Sequence, residues 1–212
     1  MRTSSLCVAP AINLDGLDLV TGALKGGSFF DRAYAISRDY PQVPFPSGWK
    51  ANILGTDLNL QYPAGWAQAR EIKAAQGVTS PSPRDFVGTE PLSSPEARAV
   101  YKFTRSYSPS LTLSYHTQGR VIYWKYLDCE PPMSREIAEF FGEMSGYSVE
   151  DTPYASGFAG YKDWFLKEFY RPGYTIECGL GTNPLPISQL ERIYSENLGI
   201  LSKGLMVTAE ID

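Results

Sequence analysis

The sequence is poor in the two residue types that most often bind metal ions or form cross-links. It contains one histidine, His116, and three cysteines. Cys7, Cys129 and Cys178 are an odd number at wide spacing, which argues against a disulfide scaffold and against a zinc finger with paired cysteines. This usage favours a reducing compartment, so we expect a cytoplasmic location. Cys178 is expected to be a buried structural thiol, and a nucleophilic thiol with His116 as its base is the alternative.

Long apolar runs and clusters of basic residues are also missing. No apolar run reaches the roughly 18 residues that a membrane-spanning helix requires, and Met1–Leu6 lacks the apolar core of a secretory signal. The net charge is -4, and lysine and arginine are not clustered, which disfavours binding to a nucleic-acid backbone. We therefore expect neither a membrane nor a nucleic-acid partner.

The balance of residue types is typical of a globular chain with one buried core, since 43% of the residues are hydrophobic and 20% are charged. We predict a single domain over residues 1–212. The apolar run Ser4–Asn13 predicts a buried strand, and the prolines, glycines and aromatic residues of Gly26–Gly48 predict a long ordered loop.

Strands and helices are predicted to alternate in the second half of the chain. Capping boxes at Ser93–Glu96 and Ser188–Glu191 predict helices toward Arg105 and through Leu201. Helix start and stop signals predict two further helices, at 134–146 and 161–169. Strand patterns bounded by turn residues predict three strands, at 111–116, 120–125 and 174–177. This alternation predicts an α/β fold with a mixed, mainly parallel sheet and helices on both faces.

Two reactive side chains stand at the ends of two of these strands. His116 closes one strand and Glu177 closes another. Ligands of open α/β sheets collect at the carboxyl ends of strands, so an imidazole and a carboxylate placed there would face one crevice. The alternative is a hydrogen-bonded structural histidine and a solvated glutamate, and spacing alone does not decide between the two.

Four stretches, in this order along the chain, resemble the zinc carboxypeptidase family, the carboxypeptidase A-like metallopeptidases. They are AINLDG at 11–16, GTDLNLQYPAGW at 55–66, SYHTQ at 114–118 and YTIE at 174–177. Three segments are most similar to the bacterial branch that cleaves γ-D-glutamyl-diamino acid bonds in cell-wall peptides: LQYPAGW at 60–66, HTQGRVIYW at 116–124 and GYKDWF at 160–165. The resemblance covers nearly the whole chain from Ser4 onward.

The resemblance implies a role for several residues. By motif, His116 corresponds to a zinc ligand and Glu177 to the general base. Tyr154 is similar to the mobile tyrosine that binds substrate, and Lys50 stands near the position of a cation that stabilises the oxyanion. The alternative for Lys50 is a solvated loop lysine. Asn59 matches the first residue of an Asn-Arg pair that binds a terminal carboxylate.

Leu60 replaces the arginine of that pair, so the resemblance implies a specificity other than that of a strict carboxypeptidase. Gln118 and Arg120 are candidates for binding substrate carboxylates. The alternative for these two residues is an ordinary surface at the end of a strand.

The family's H-x-x-E zinc motif is not in this sequence, whose one histidine is His116. We therefore expect an N-terminally truncated form of the fold, with one of three zinc ligands present and one zinc ion bound only if the others are supplied. Three interpretations stay open: a piece of an active peptidase acting on peptidoglycan-derived peptides, a chain completed by self-association or by a complementing N-terminal chain, and a peptide-binding module without catalysis.

Overall fold

The computed structural model describes residues 4–211, which cluster in two compact units. The helical unit comprises Ala9–Tyr107 and Phe158–Tyr161. The sheet unit comprises the described residues of Met1–Val8, Ser108–Gly157 and Lys162–Asp212. The single domain over residues 1–212 stays a prediction.

The helical unit contains four α-helices: α1 (Leu14–Thr21), α2 (Ser28–Ser37), α3 (Trp66–Ala75) and α4 (Pro95–Tyr107). Leu19 of α1 and Ala33 of α2 are fully buried in one cluster with Trp49. Asn13 caps α1, because its Oδ1 atom accepts a hydrogen bond from the Gly16 amide at 3.1 Å. The predicted helix after Ser93 is confirmed as α4.

Two predictions for the N-terminal part of the chain are wrong. Ser4–Asn13 forms no strand, and Leu6 and Val8 are exposed, because an apolar run becomes a strand only where another backbone pairs with it. The segment Gly26–Gly48 is not loop throughout, since α2 occupies part of it. Its prolines all follow α2, and the apolar residues inside α2 recur at helical spacing.

The sheet unit contains a four-stranded mixed sheet, formed by β1 (Thr112–His116), β2 (Val121–Tyr123), β3 (Ser148–Glu150) and β4 (Gly173–Glu177). The strand order is β1-β4-β2-β3. β1 pairs with β4 and β2 with β3 in parallel, whereas β2 and β4 are antiparallel. The prediction of a mixed, mainly parallel sheet is therefore confirmed.

Three helices belong wholly or mainly to this unit: α5 (Ser134–Ser145), α6 (Tyr161–Phe169) and α7 (Leu190–Ile211). All three were predicted, and α5 ends at Gly146, which adopts a left-handed conformation at φ 71°. Within residues 4–211, no helix has both the length and the apolar character needed to cross a membrane.

One face of the sheet is apolar and carries the main core of the unit. Ile122, Tyr174 and Ile176 are fully buried on this apolar face. Phe141 of α5 and Ile200 of α7 belong to the same cluster. Burying each such side chain stabilises the fold by about 1.5–3 kcal/mol, so the packing of α5 and α7 fixes the sheet.

The opposite face, here called the polar face, carries Ser114 and His116 of β1, Thr175 and Glu177 of β4, Val121 and Tyr123 of β2, and Ser148 and Glu150 of β3. α6 packs at one end of this face, since a Cβ atom added at Gly173 would lie 2.9 Å from Phe165 and 3.6 Å from Leu166. Helices thus lie on both faces of the sheet.

Candidate active site

The structure brings His116 and Glu177 together. The two residues are register partners at the carboxyl ends of the parallel strands β1 and β4, and the Cys178 amide donates a 2.8 Å hydrogen bond to the His116 carbonyl. Register partners on neighbouring strands project from the same face, and neighbouring strands lie about 4.8 Å apart. Both residues are half-buried. An imidazole and a carboxylate can therefore act on one molecule bound at this edge.

The turn after β1 runs directly beside Glu177. The peptide bond between Thr117 and Gln118 is cis, and the exposed Gln118 is followed by Gly119 at φ 151°. A Cβ atom at Gly119 would lie 3.2 Å from Val121 Cγ1 and 3.8 Å from Glu177 Cβ. Glycine is the residue that adopts this backbone conformation and leaves room for the neighbouring strand.

Arg120 is held by an ion pair with the last helix. Its Nη2 atom lies 2.9 Å from Glu196 Oε1, which also accepts from Arg192 at 2.8 Å, and its guanidinium stacks over the Tyr147 ring. Burial acts to raise the pKa of Glu196, but the hydrogen bonds it accepts and the two arginine charges lower that pKa below its usual value. Substrate binding by Arg120 stays a prediction.

Tyr154 lies in a single turn of 3-10 helix, Tyr154–Ser156, and its side chain is 71% exposed. The turn is closed by the amide of Ser156, which donates to Pro153 at 2.9 Å. An exposed phenol on a short turn is suited to contacting a bound molecule. The substrate-binding role of Tyr154 stays a prediction.

Lys50 belongs to the helical unit, where a buried carboxylate holds it. Its Nζ atom lies 2.8 Å from Asp57 Oδ2, and the Asp57 side chain is 2% exposed. Loss of hydration acts to lower the pKa of Lys50, but the charge and hydrogen bond of Asp57 raise it above its ordinary value. Lys50 therefore keeps its positive charge at neutral pH, as the predicted electrostatic role requires.

Asn59 also belongs to the helical unit and is held by two hydrogen bonds. Its backbone N–H donates to Asp57 Oδ1 at 3.2 Å, and its side-chain Oδ1 atom accepts from the backbone N–H of Tyr161 at 3.1 Å. These contacts leave the Nδ2 donor for another partner. Leu60, in place of the family's arginine, is buried.

Sequence reasoning missed Asp57, which contacts both predicted residues of the helical unit. The sequence indicates this residue in the stretch GTDLN, because an acidic side chain two positions before Asn59 can accept hydrogen bonds from its neighbours. It also missed a buried ion pair between Lys162 and Asp163, whose charged atoms lie 2.6 Å apart. Lys162 Nζ donates in addition to the carbonyl of Lys125 at 2.6 Å.

Cys178, directly after Glu177, is buried on the apolar face, as predicted. Burial raises the pKa of its thiol, and a hydrogen bond with Tyr147 offsets only part of that effect. Tyr147 in turn accepts a 3.0 Å hydrogen bond from Asn197 Nδ2. The thiol form is therefore favoured at neutral pH, which fits the structural role of this residue.

The family comparison agrees with the strand-end geometry. The model of the zinc carboxypeptidase family matches residues 1–199. The chain belongs to the zinc carboxypeptidase family. The resemblance of the four sequence stretches is thus confirmed across nearly the whole chain.

Two curated relatives of this zinc carboxypeptidase chain are bacterial. It is 45% identical over 202 residues to γ-D-glutamyl-L-diamino acid endopeptidase 1 of Lysinibacillus sphaericus, covering 95% of this chain and 49% of that protein. It is 39% identical over 205 residues to the uncharacterized protein YqgT of Bacillus subtilis strain 168, covering 96% and 53%. The chain spans about half the length of these relatives.

Among solved structures, bovine thrombin-activatable fibrinolysis inhibitor in complex with tick carboxypeptidase inhibitor has the same fold. The TM-score is 0.65 at 20% identity, and the match covers 95% of this chain and 68% of that one. This likeness confirms the fold class.

The family name implies zinc, and the described residues offer only part of a zinc site. Within the part of the chain that the structure describes, no group of three or more histidine, cysteine, aspartate or glutamate side chains could hold a metal ion. His116 supplies an imidazole at the predicted position, beside the carboxylate of Glu177. These residues alone therefore do not fit the three-ligand zinc site that catalysis in such enzymes uses.

Proposed function

We propose that this chain takes part in hydrolysing a peptide bond beside a diamino acid in bacterial cell-wall peptides. The observation that carries the proposal is the pairing of His116 and Glu177 at one end of the sheet in a member of the zinc carboxypeptidase family. The name of the 45% identical relative supports the choice of bond. The loss of the arginine at Leu60 agrees with a substrate other than a free C-terminal carboxylate.

We assign Glu177 as the general base. Its carboxylate is half-buried and at the end of β4, so it can take the proton of an attacking water next to the scissile carbonyl. After attack, the same group can return the proton to the leaving nitrogen. His116 is proposed as one zinc ligand, and zinc is proposed to bind only if the other ligands are supplied.

The remaining residues are assigned to substrate. Tyr154 is proposed to bind the peptide beside the scissile bond, and Gln118 and Arg120 to bind substrate carboxylates. For Lys50 and Asn59 the assignments to oxyanion and substrate follow from the family motif. Their hydrogen bonds with Asp57 hold both residues in defined positions within the helical unit.

The test uses the protein that contains this chain, supplied with zinc, and a γ-D-glutamyl-L-lysine peptide. Glu177→Gln keeps the size and hydrogen bonds of the side chain but removes the base, so we expect turnover to fall by a factor on the order of 1000 or more with zinc content unchanged. The matched control is Glu143→Gln, an exposed position on α5, which should retain activity. Retained turnover in Glu177→Gln would remove this residue from the base role.

Zinc content tests the assignment of His116. Where the other ligands are supplied, we expect about one zinc per chain, and His116→Ala should lower that stoichiometry while the far-ultraviolet circular dichroism stays unchanged. Unchanged zinc binding in His116→Ala would contradict the ligand assignment. Peptide binding without zinc or turnover would instead favour a non-catalytic binding module.

A further inference from the structure

The polar face extends beyond His116 and Glu177 in a second row of side chains. Across the sheet, Thr175 of β4 pairs with Tyr123 of β2, and Tyr123 pairs with Glu150 of β3. Glu177 is two residues beyond Thr175, so it shares the face with this row. None of these partners was apparent from the sequence, because the order of the strands decides which residues become neighbours.

Tyr123 is the cross-strand partner of Glu150 and lies diagonally across from Glu177, whose own partner on β2 is Val121. Burial raises the pKa of its hydroxyl, and the negative charges of Glu177 and Glu150 raise it further. The phenol is therefore protonated at neutral pH and can donate or accept a hydrogen bond. Both carboxylates thus act electrostatically on the Tyr123 hydroxyl.

Glu150 is exposed and oriented by its neighbour on the same strand. Its Oε1 atom accepts a 2.7 Å hydrogen bond from Ser148 Oγ. Among the described residues, no lysine or arginine forms an ion pair with it, whereas the adjacent Asp151 pairs with Lys125 at 3.0 Å. The Glu150 carboxylate thus presents an uncompensated negative charge at the edge of the polar face.

A diamino acid in a γ-D-glutamyl-diamino acid bond has one amino group acylated and the other free. The free group is an ammonium at neutral pH, and a carboxylate is its natural partner in a charge-assisted hydrogen bond. Glu177 and Glu150 are separated by two strand spacings across β4, β2 and β3 and by two residues along the strands, about 12 Å in total. The carbon chain of a diamino acid and the Glu150 side chain can together bridge such a span.

We propose that Glu150 is a specificity-determining residue whose carboxylate, with the Tyr123 hydroxyl beside it, binds the free ammonium of the diamino acid. This inference rests on the proposed function, because it names the substrate group recognised next to the proposed base Glu177.

The test compares two peptides with the zinc-loaded full-length protein: γ-D-glutamyl-L-lysine and its Nε-acetyl derivative, in which the second amino group carries no charge. We expect the native protein to prefer the free amine in kcat/KM by a factor on the order of 10, mainly through KM. Glu150→Gln should bring the two peptides to within about twofold, and Glu150→Asp should restore part of the preference. The control Glu143→Gln should keep the full preference.

A binding measurement separates this inference from the proposed function. Titration of the full-length protein with L-lysine and with L-norleucine, followed by calorimetry, requires no turnover. Weaker lysine binding in Glu150→Gln supports the inference even if no peptide is cleaved. Absence of cleavage would overturn only the proposed function. Cleavage of both peptides at equal rates, or a full preference retained by Glu150→Gln, overturns the inference and leaves the proposed function standing.

Discussion

The ammonium group of Lys50 lies 2.8 Å from a carboxylate oxygen of Asp57, whose side chain is only 2% exposed. The same carboxylate accepts hydrogen bonds from the amides of Asn59 and Asp85, both at 3.2 Å. Replacing it by Asp57→Asn removes the negative charge and turns one acceptor into a donor. We expect the free energy of unfolding to fall by about 2–3 kcal/mol, measured by urea denaturation.

The matched control for this change is Asp39→Asn, at an exposed position in the same unit. Its effect should stay within about 0.5 kcal/mol, as for most surface substitutions. Equal urea midpoints for Asp57→Asn and Asp39→Asn would show that the Asp57 carboxylate does not organise the segment that carries Lys50 and Asn59.

The lowered pKa of Glu196 predicts a pH dependence of stability. Because the pKa of Glu196 is lower in the folded than in the unfolded state, its contribution is fully present above the ordinary glutamate pKa of about 4.3 and is lost as pH falls through the folded value. Glu196→Gln should therefore lose less stability than the native chain between about pH 5 and pH 3. Urea midpoints over a pH series measure the difference.

Glu143→Gln provides the reference for this series, since Glu143 is an exposed glutamate on α5. Its acid profile should be parallel to that of the native chain. If the profile of Glu196→Gln were also parallel, the ion pairs of Glu196 with Arg120 and Arg192 would contribute nothing to stability.

Most helices of this fold were predictable because their signals are local. The capping box at Ser93–Glu96 and the residues Ser134 and Gly146 mark real helix ends. β1 and β4 were found in the same way, from alternation that ends in a polar residue. Ser4–Asn13 failed because a strand depends on a partner, and hydrophobicity alone does not supply one.

The candidate site was predictable only where a family motif marks the residue. His116 and Glu177 carry such motifs, and the sheet brings them into register. Tyr123 lies in the HTQGRVIYW segment but received no predicted role, and Glu150 lies in no motif, because the strand order β1-β4-β2-β3 decides that Tyr123 is the neighbour of both Thr175 and Glu150. Register between distant strands is set by packing of the whole sheet and is not written in any short segment.

Tyr174 makes a buried hydrogen bond that can be removed without changing the packing. Its hydroxyl donates to the Ser134 carbonyl at 2.9 Å, at the start of α5, and its ring packs edge-on against Phe141. Tyr174→Phe keeps the ring and should lower the free energy of unfolding by about 1–2 kcal/mol. Tyr170→Phe, whose hydroxyl makes an exposed 3.3 Å hydrogen bond, should cost less in the same urea experiment. A larger loss in Tyr170→Phe would contradict this account.

A substitution at Gly119 tests whether the turn beside Glu177 depends on glycine. The substitution Gly119→Ala would place a Cβ atom 3.2 Å from Val121 on a backbone with φ 151°, a conformation that side chains rarely adopt. We expect the free energy of unfolding to fall by about 1–3 kcal/mol in urea denaturation. Gly26→Ala is the control, because a Cβ atom there meets nothing within 4 Å. If both variants unfolded at the native midpoint, the close approach of this turn to β2 and β4 would not require glycine.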